Sequence, residues 1–296
     1  MTTIALEMVP TNSEDGVARA VEEGRKVAQL SEACGLSDRI RHVMIPGMIA
    51  EDPDRPVEMK PKLDTLEFWN AVRPELGDQM RGLCTQVTAF HDKDQLTDRL
   101  RALTGAGIEG ITFVGVPRTM ADGEGSGVAP ADALEQFADI VPERGAILIP
   151  TREAEAARFG AKCERGATFA MTQLLFSDAI VNFLRDFAGK SELRPKILLS
   201  FGFVPSVETR LKLIDWLIQD PGNPAVAAEQ AFVAELAEMK FEPRKKQLLD
   251  LYKRVIDGVA DLGFPIGIHL EAPYGYSKPA FETFAAMLDY WEPTTD

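Results

Sequence analysis

The sequence has 296 residues, of which 45% are hydrophobic and 26% charged, and a net charge of −14 at pH 7. This balance is typical of a globular protein, and the acidic surplus argues against non-specific nucleic-acid binding, which requires a basic surface. We expect neither a signal peptide nor a membrane helix. The amino terminus lacks a basic and apolar leader, and no run reaches about 18 apolar residues.

The three cysteines and the three histidines are scattered along the chain. They include no Cys-x-x-Cys pair and no spacing that is typical of metal ligands. The cysteines indicate free thiols in a reducing, cytoplasmic environment. We therefore expect a cytoplasmic protein without a structural metal.

Eight short apolar segments, each bounded by glycine, proline or charged residues, are predicted to be β-strands. In chain order they cover residues 4–10, 42–47, 82–90, 110–117, 145–150, 168–176, 196–205 and 265–272. Between them, apolar residues recur at spacings of three and four, which predicts amphipathic helices. Such helical segments include residues 17–35, 94–107, 177–189 and 206–218.

The regular alternation of strands and helices predicts the fold. Near-continuous apolar strands are typical of a parallel sheet that is buried on both faces. Eight such units in a chain of this length fit a single-domain (β/α)₈ barrel, the TIM barrel, over residues 1–296. The alternative is an open doubly wound sheet. Its dinucleotide-binding version is disfavoured because no Gly-x-Gly-x-x-Gly follows the first strand.

Three segments are longer than a minimal barrel requires. Residues 49–69 are rich in proline and charge, which predicts a long loop over the barrel mouth before a helix. Residues 119–132 are rich in glycine, and we expect them to be mobile. Residues 225–263 have the pattern of two helices, so we expect a helical insertion at about 224–263 between the last two strands.

Catalytic residues of a TIM barrel lie at the carboxyl ends of its strands, so polar residues in those places are candidates for function. The candidates are Glu7, Gln86, Thr88, Thr172, Gln173, His269, Glu271 and, on the helix before the sixth strand, Lys162.

Glu7 is the most informative of these residues, because a carboxylate is unusual inside an apolar strand. In a pocket at the barrel mouth its pKa would be raised, which would suit a general acid. The alternatives are a Glu that faces solvent or a partner in a structural ion pair.

Gln173, Glu271 and His269 each allow two interpretations. The amide of Gln173 can pair with a cyclic amide or pterin edge of a ligand, or with a neighbouring strand or loop. Glu271 is either a base or ligand anchor, or a carboxylate that stabilises a loop. For His269 we expect packing between strand and helix rather than catalysis.

Residues 166–176, GATFAMTQLLF, resemble the sixth strand of the methylenetetrahydrofolate reductase family, in which Gly-Ala, an apolar run, Thr-Gln and Phe recur. Residues 4–10 resemble the first strand of that family, and Glu7 falls on its catalytic Glu. Lys162 matches a Lys that the family often has. Residues 106–118 and 198–208 resemble its fourth strand and its Pro-Gly-Ile-x-Pro segment. The similarity therefore runs along nearly the whole chain.

The differences from the family fall where its members bind flavin. Val114, Gly115 and Val116 replace an Arg-Gly-Asp whose Asp lies beside the flavin. Residues 150–160 replace a His-containing stretch, and residues 45–53 replace a Thr-Tyr-Gly-Ala-type turn. Residues 271–278 lack the Leu-Asn-Arg motif of the eighth strand. The sequence thus resembles the flavin-independent branch of the family.

That resemblance implies direct hydride transfer from NADH to 5,10-methylenetetrahydrofolate, with no tightly bound FAD. Glu7 would be the general acid, and Gln173 would orient the pterin. The nicotinamide would occupy the place of the flavin ring, with Phe176, Phe201, Phe203 and Tyr274 as candidates to flank it, unless they are core aromatics. Lys162 and Arg118 would meet a phosphate or the glutamate tail of folate, unless they are solvated surface charges.

The resemblance and the strand-end positions together give two sets of predicted contacts. The predicted substrate contacts are Gln173, Thr172, Phe176, Glu271 and Tyr274. The predicted dinucleotide contacts are Lys162, Gln86, Phe203 and Arg118. We expect no metal, nucleic-acid or membrane partner, and the oligomeric state is left open.

Three other functions are compatible with this sequence. The first is an FAD-dependent methylenetetrahydrofolate reductase with a divergent site. The second is a folate-binding barrel without reductase activity, which would have no need of Glu7. The third is an unrelated barrel lyase or aldolase, which is disfavoured because no strand-end lysine or metal cluster is evident.

Overall fold

The computed structural model describes residues 3–47, 60–115, 127–205, 222–273 and 275–293. Eight strands alternate with helices over these residues. The strands are Ile4–Glu7 (β1), His42–Ile45 (β2), Arg81–Val87 (β3), Ile108–Val114 (β4), Glu143–Leu148 (β5), Phe169–Thr172 (β6), Lys196–Gly202 (β7) and Ile266–Glu271 (β8). The helices are Gly16–Ala33 (α1), Thr65–Leu76 (α2), Lys93–Gly105 (α3), Pro130–Gln136 (α4), Glu155–Glu164 (α5), Ala179–Ala188 (α6), Pro224–Glu238 (α7), Phe241–Val259 (α8) and Lys278–Tyr290 (α9).

The strands form a closed parallel barrel in sequence order, and β8 pairs with β1 to complete it. Closure confirms the predicted single-domain TIM barrel and excludes the open sheet. Ala5 of β1 is level with His42 of β2 on one side and with His269 of β8 on the other. All eight predicted strands are present.

Side chains of the strands alternate between two apolar cores. One core lies between the barrel and its helices and contains most of the buried apolar residues. The smaller core fills the barrel lumen, and its members are Ala5, Met44, Leu83, Phe169, Met171 and Leu198. Counting in twos along a strand from a lumen residue therefore identifies the other side chains that face the lumen.

Glycines make room for the largest side chain of the lumen. A Cβ atom at Gly145 would lie 2.4 Å from the Phe169 ring and 2.4 Å from Oγ1 of Thr112. A Cβ atom at Gly110 would lie 2.8 Å from the side chain of Leu83. The Phe169 ring can pack across the lumen only because β4 and β5 carry no side chain at these two positions.

The segments that exceed a minimal barrel are partly described. Residues 225–263 form α7 and α8, as the two-helix pattern predicted. In the segment 119–132, which we expected to be mobile, the last three residues belong to α4. The described end of the segment 49–69 makes an isolated bridge from Lys62 to Asn12 and then enters α2. The predicted helix at 206–218 lies outside the described residues. Among the described helices, none is both long and apolar enough to cross a membrane.

Candidate active site at the barrel mouth

β1 ends in a carboxylate at the barrel mouth. Glu7 follows Ala5 by two residues and therefore faces the lumen, while its neighbours Leu6 and Met8 are buried in the outer core. Burial raises the pKa of the Glu7 carboxyl well above its usual value, and the charge of Glu271 raises it further. Glu7 thus keeps its proton to a higher pH than an exposed glutamate and can donate it.

Beside Glu7, β6, β7 and β8 contribute a buried hydrogen-bonded cluster. Nδ1 of His269 lies 3.2 Å from Oε1 of Glu271 and 2.9 Å from Oγ of Ser200. The Ser200 hydroxyl donates to the Thr172 carbonyl (2.8 Å), and the Ser200 backbone N–H donates to Oγ1 of Thr172 (2.9 Å). These bonds link three adjacent strands where they approach the mouth.

The position of His269 corrects our prediction from the sequence. We expected this histidine to pack between strand and helix, but it lies on the lumen side of β8 with Glu271. The outward-facing residues of this strand are Ile268 and Leu270, which belong to the outer core. The alternation of side chains therefore directs the histidine inward, where it is only 1% exposed.

Tyr276 is a buried residue of the site that we did not predict. Its hydroxyl donates to the backbone carbonyl of Glu7 (3.2 Å). Burial raises the pKa of the Tyr276 hydroxyl, and the charge of Glu7 raises it further, so the phenol stays neutral. Tyr276 thereby ties the loop after β8 to the end of β1.

Gln173 and Thr172 have different positions although they are neighbours in sequence. Gln173 follows the lumen residues Phe169 and Met171 in steps of two, and its backbone N–H donates to the Leu148 carbonyl (2.9 Å). The register therefore directs the Gln173 amide to the same lumen as Glu7. Thr172 is engaged with Ser200 and holds β6 to β7, so we assign it a structural role rather than a substrate contact.

The side chains of Gln86 and Lys162 are hydrogen-bonded within the protein. Gln86 alternates with the lumen residues of β3, donates to the Val87 carbonyl (2.7 Å) and accepts from Arg99 of α3 (3.3 Å). Gln86 thus faces the helices. Nζ of Lys162 donates to the Ile147 carbonyl (3.0 Å), and burial lowers the pKa of its ammonium.

The predicted aromatic contacts pack in the outer core, where they are members of one apolar cluster: Phe176, Phe201 and Phe203. Phe201 packs edge-on against Tyr252 of α8, with ring centroids 4.7 Å apart. The alternative that we considered, that these rings are core aromatics, therefore describes them better. Tyr274 and Arg118 lie outside the described residues.

The turn after β5 bears on flavin binding, because the resemblance places flavin contacts there. Glu155 is buried, accepts the backbone N–H of Ile149 (3.0 Å) and pairs with Arg152 (Nε to Oε2, 2.6 Å). Asn223, the cap of α7, donates to the Thr151 carbonyl (2.6 Å). These polar groups are therefore engaged with one another.

The cluster around Glu7 is also compact enough to be considered as a metal site. Glu7, His269 and Glu271 each place one oxygen or nitrogen atom within 4.8 Å of the others. However, Nδ1 of His269 is already hydrogen-bonded to Ser200, and the raised pKa of Glu7 favours a bound proton. The group therefore has the spacing of a candidate metal site as well as the hydrogen bonds of a proton-bearing cluster.

A family model described as mycobacterial methylenetetrahydrofolate reductase matches residues 1–295 of this chain. A search of curated protein sequences found no match.

Among solved structures, an uncharacterised protein from Clostridium thermocellum, described as binding two copies of 5-methyl-5,6,7,8-tetrahydrofolic acid, superposes with a TM-score of 0.70. It is 16% identical, and the match covers 98% of this chain and 95% of that one. Apo-MsnO8 matches with a TM-score of 0.56, 13% identity and 100% of both chains. A tryptophan synthase complex from Pyrococcus furiosus matches with a TM-score of 0.51, 8% identity and coverage of 97% and 98%. At these identities the three structures show that the fold is shared.

Proposed function

The chain belongs to the mycobacterial methylenetetrahydrofolate reductase family, and on that premise we propose that it reduces 5,10-methylenetetrahydrofolate to 5-methyltetrahydrofolate with hydride from NADH. The observation that carries this proposal is the lumen-facing Glu7 carboxyl, whose pKa is raised by burial and by Glu271. A carboxyl that keeps its proton above the pH at which an exposed glutamate ionises is the acid that this reaction needs.

The proposed reaction needs one proton and one hydride. The substrate carries a methylene group between two nitrogens of a five-membered ring. Protonation of the leaving nitrogen by Glu7 opens the ring and leaves a methylene iminium on the other nitrogen. Hydride from NADH then adds to the iminium carbon, which gives the methyl product and NAD⁺. Glu7 becomes a carboxylate and takes up a proton before the next turnover.

Gln173 is proposed to orient the pterin. Its amide offers an acceptor and two donors in one plane, which match the cyclic amide edge of a pterin. Orientation matters because the donor and acceptor carbons must approach within about 3–3.5 Å for hydride transfer. Glu7 of β1 and Gln173 after β6 would contact one ligand from opposite sides of the mouth.

We infer that NADH acts directly and that no flavin is held between the two substrates. Two features support this inference. The residues after β4 and β5 depart from the flavin-binding stretches of the family, and the turn after β5 is closed by Glu155, Arg152 and Asn223. The solved structure described as binding 5-methyl-5,6,7,8-tetrahydrofolic acid supports the expectation that a protein of this fold can bind the proposed product.

The test is a single anaerobic assay. Purified protein is first examined for visible absorbance and is then mixed with 5,10-methylenetetrahydrofolate and NADH, with NADPH in a parallel reaction. We expect colourless protein, loss of nicotinamide absorbance, formation of 5-methyltetrahydrofolate and sequential steady-state kinetics. Yellow protein with ping-pong kinetics would instead indicate the FAD-dependent reaction. Folate binding without NADH oxidation would indicate a binding protein.

A further inference from the structure

We propose that His269 determines which of two carboxyls holds a shared proton: its Nδ1–H places the negative charge on Glu271 and leaves the proton on Glu7. The role matters for catalysis only if the proposed reduction is correct, but the proton distribution can be measured without it. His269 would act on Glu7 through Glu271, so we describe it as a positioning residue.

The two carboxyls are close enough to share one proton. Oxygen atoms of Glu7 and Glu271 lie within 4.8 Å of each other, and both side chains face the lumen. Two carboxylates at this separation repel each other in a buried site, so one proton is retained by the pair over a wide range of pH. Catalysis by Glu7 requires that this proton be on Glu7 and not on Glu271.

Hydrogen bonding identifies the tautomer of His269. The hydroxyl of Ser200 has one hydrogen, and it donates that hydrogen to the Thr172 carbonyl (2.8 Å). Oγ of Ser200 must therefore accept from Nδ1 of His269 at 2.9 Å, which requires a hydrogen on Nδ1. The same nitrogen atom lies 3.2 Å from Oε1 of Glu271. The positive end of the Nδ1–H dipole therefore lies beside Glu271 as well as Ser200.

The other ring nitrogen agrees with this assignment. Nε2 of His269 is buried and has no hydrogen-bond partner among the described residues. A hydrogen on Nε2 would be an unsatisfied buried donor, and such donors are rare and costly. A lone pair on Nε2 costs less, so the neutral ring carries its hydrogen on Nδ1.

The surroundings of the two carboxyls are therefore unequal. Oε1 of Glu271 lies 3.2 Å from the hydrogen-bearing Nδ1 of His269, whereas the hydroxyl beside Glu7, that of Tyr276, donates to the Glu7 backbone carbonyl and not to its carboxyl. Among the described residues, the titratable groups of the cluster are these four, and the charge of Glu23 on α1 acts on Tyr276 as well. The neighbouring strands contribute Ser200 and Thr172, which do not titrate.

Two substitutions distinguish two possible roles of His269, that of a donor at Nδ1 and that of a side chain that only fills space. In H269N, the amide nitrogen can take the place of Nδ1 and donate to Glu271. In H269Q, the amide lies farther out, near the place of Nε2, and the donor to Glu271 is lost. H42Q is the matched control, because His42 is also a buried lumen histidine but lies at the start of its strand, beside Arg81.

The direct measurement is a pH titration of ¹³C-labelled glutamate carboxyls by NMR in the ligand-free protein. The Glu7 and Glu271 resonances are assigned by their absence from E7Q and E271Q at high pH. We expect the Glu7 carbon to keep its protonated shift near neutral pH while the Glu271 carbon is ionised. H269N and H42Q should show this pattern, whereas H269Q should show two intermediate shifts. Ionised Glu7 in the native protein, or a native pattern in H269Q, would overturn the proposal.

The kinetic measurement has a definite sign. Without the donor at Nδ1, every state in which Glu271 is charged becomes less stable. The shared proton is then found on Glu271 in a larger fraction of molecules, and the pair loses its last proton at a higher pH. In H269Q we expect kcat to fall roughly tenfold, since a general acid contributes at most about 10²–10⁴. The KM for folate should change little, and the basic limb of the pH profile should move upward. H269N should recover most of the lost rate, and equal losses in both variants would indicate only packing.

Two further outcomes remain decisive. If H269Q does not fold, S200A is measured in its place. Removal of the Ser200 acceptor leaves the Nδ1–H to Glu271 alone, so Glu7 should stay protonated in S200A. A transfer of the proton to Glu271 in this variant would overturn the proposal. If the NMR pattern is as expected but no reduction occurs, the proposed function fails and the assignment of the proton stands.

Discussion

The barrel lumen contains two buried histidines in different environments. His42 is at the floor, the end of the barrel where the strands begin, and it is level with Arg81 at the start of β3. Its Nε2 lies 3.9 Å from Oε2 of Glu109. Burial lowers the pKa of His42 to about 4, helped by the charges of Lys196 and Arg81. His269 is near the mouth, is hydrogen-bonded to Ser200, and has its Nδ1 3.2 Å from Oε1 of Glu271.

From this difference we expect residues at the floor to serve stability and residues at the mouth to serve the proposed reaction. Burial and the charges of Lys196 and Arg81 disfavour protonation of the floor histidine. The mouth histidine belongs to a chain of proton-bearing groups that ends at a carboxyl with a raised pKa. In TIM barrels the carboxyl ends of the strands carry the active site, whereas the opposite face serves stability. Substitutions at the two ends should therefore affect different measurements.

The largest effect is expected from E7Q at the mouth. Loss of the proposed acid should lower kcat by at least about a hundredfold, while folate binding persists. Because the folded protein holds the Glu7 proton more tightly than the unfolded chain, Glu7 costs stability as pH rises above its usual value toward its raised pKa. E7Q should therefore melt at a higher temperature than the native protein at alkaline pH.

A carboxyl at the floor provides the control for E7Q. E109Q removes the carboxylate beside His42 and should leave the rate unchanged. Equal rate losses in E7Q and E109Q would mean that the two ends of the barrel do not differ as proposed. Steady-state rates and thermal melting of the two variants, measured together, decide the point.

The next largest effect concerns the floor and appears in stability. His42 has a pKa of about 4 when folded and an ordinary value of 6.5 when unfolded, so the unfolded chain binds its proton more readily. The contribution of neutral His42 to the free energy of unfolding is fully present above pH 6.5. It is lost as the pH falls toward 4, by up to about 3 kcal/mol. Urea unfolding between these pH values should show that the free energy of unfolding falls with pH in the native protein and falls less in H42L. An equal pH dependence in H42L would mean that other groups cause it.

At the mouth, E271Q should change the pH dependence of the rate. The charge of Glu271 raises the pKa of Glu7, so its removal lowers that pKa. The acid is then lost at lower pH, and the basic limb of the pH–rate profile moves down. H42L, which changes a charge-capable group at the floor, should leave the limb in place. An unchanged limb in E271Q would show that the two carboxyls do not interact.

Q173A should have a smaller effect, confined to folate. Loss of one or two hydrogen bonds from the lumen amide should weaken folate binding by about tenfold, measured by calorimetry. Q86A is the matched control, because it deletes the same chemical group from a strand position that faces Arg99 and the helices. Equal folate affinity in both variants would contradict the proposed pose.

The fold and three residues of the candidate site, Glu7, Gln173 and Glu271, could be named from the sequence. The barrel followed from eight apolar strands with helices between them, because parallel strands buried on both faces read as continuous apolar runs. Glu7 was recognisable because a carboxylate interrupts such a run. The directions of the His269 and Gln86 side chains could not be predicted in this way. Both faces of a barrel strand are buried, and the sequence alone does not show which face is the lumen.

The contacts of the site depend on register and could not be predicted. Ser200 meets His269 only because β7 and β8 place them level with each other, and Tyr276 reaches Glu7 across the joint between β8 and β1. One signal was nevertheless present in the eighth strand. Gly267, His269 and Glu271 alternate with Ile268 and Leu270, so the glycine, the histidine and the carboxylate share one face, which the structure places on the lumen.

The smallest effect is expected from metal chelation, and it tests the cluster at the mouth as a whole. Glu7, His269 and Glu271 have a spacing that a metal ion could use. Metal ligands must be deprotonated, whereas the proposed reaction requires a proton on Glu7, so the two roles exclude each other at the same atoms. Protein treated with EDTA and then dialysed should therefore retain its full reductase rate. A loss of rate that added Zn²⁺ restores would make the cluster a metal site and Glu7 a ligand, and the floor and the mouth would then differ for a reason other than proton transfer.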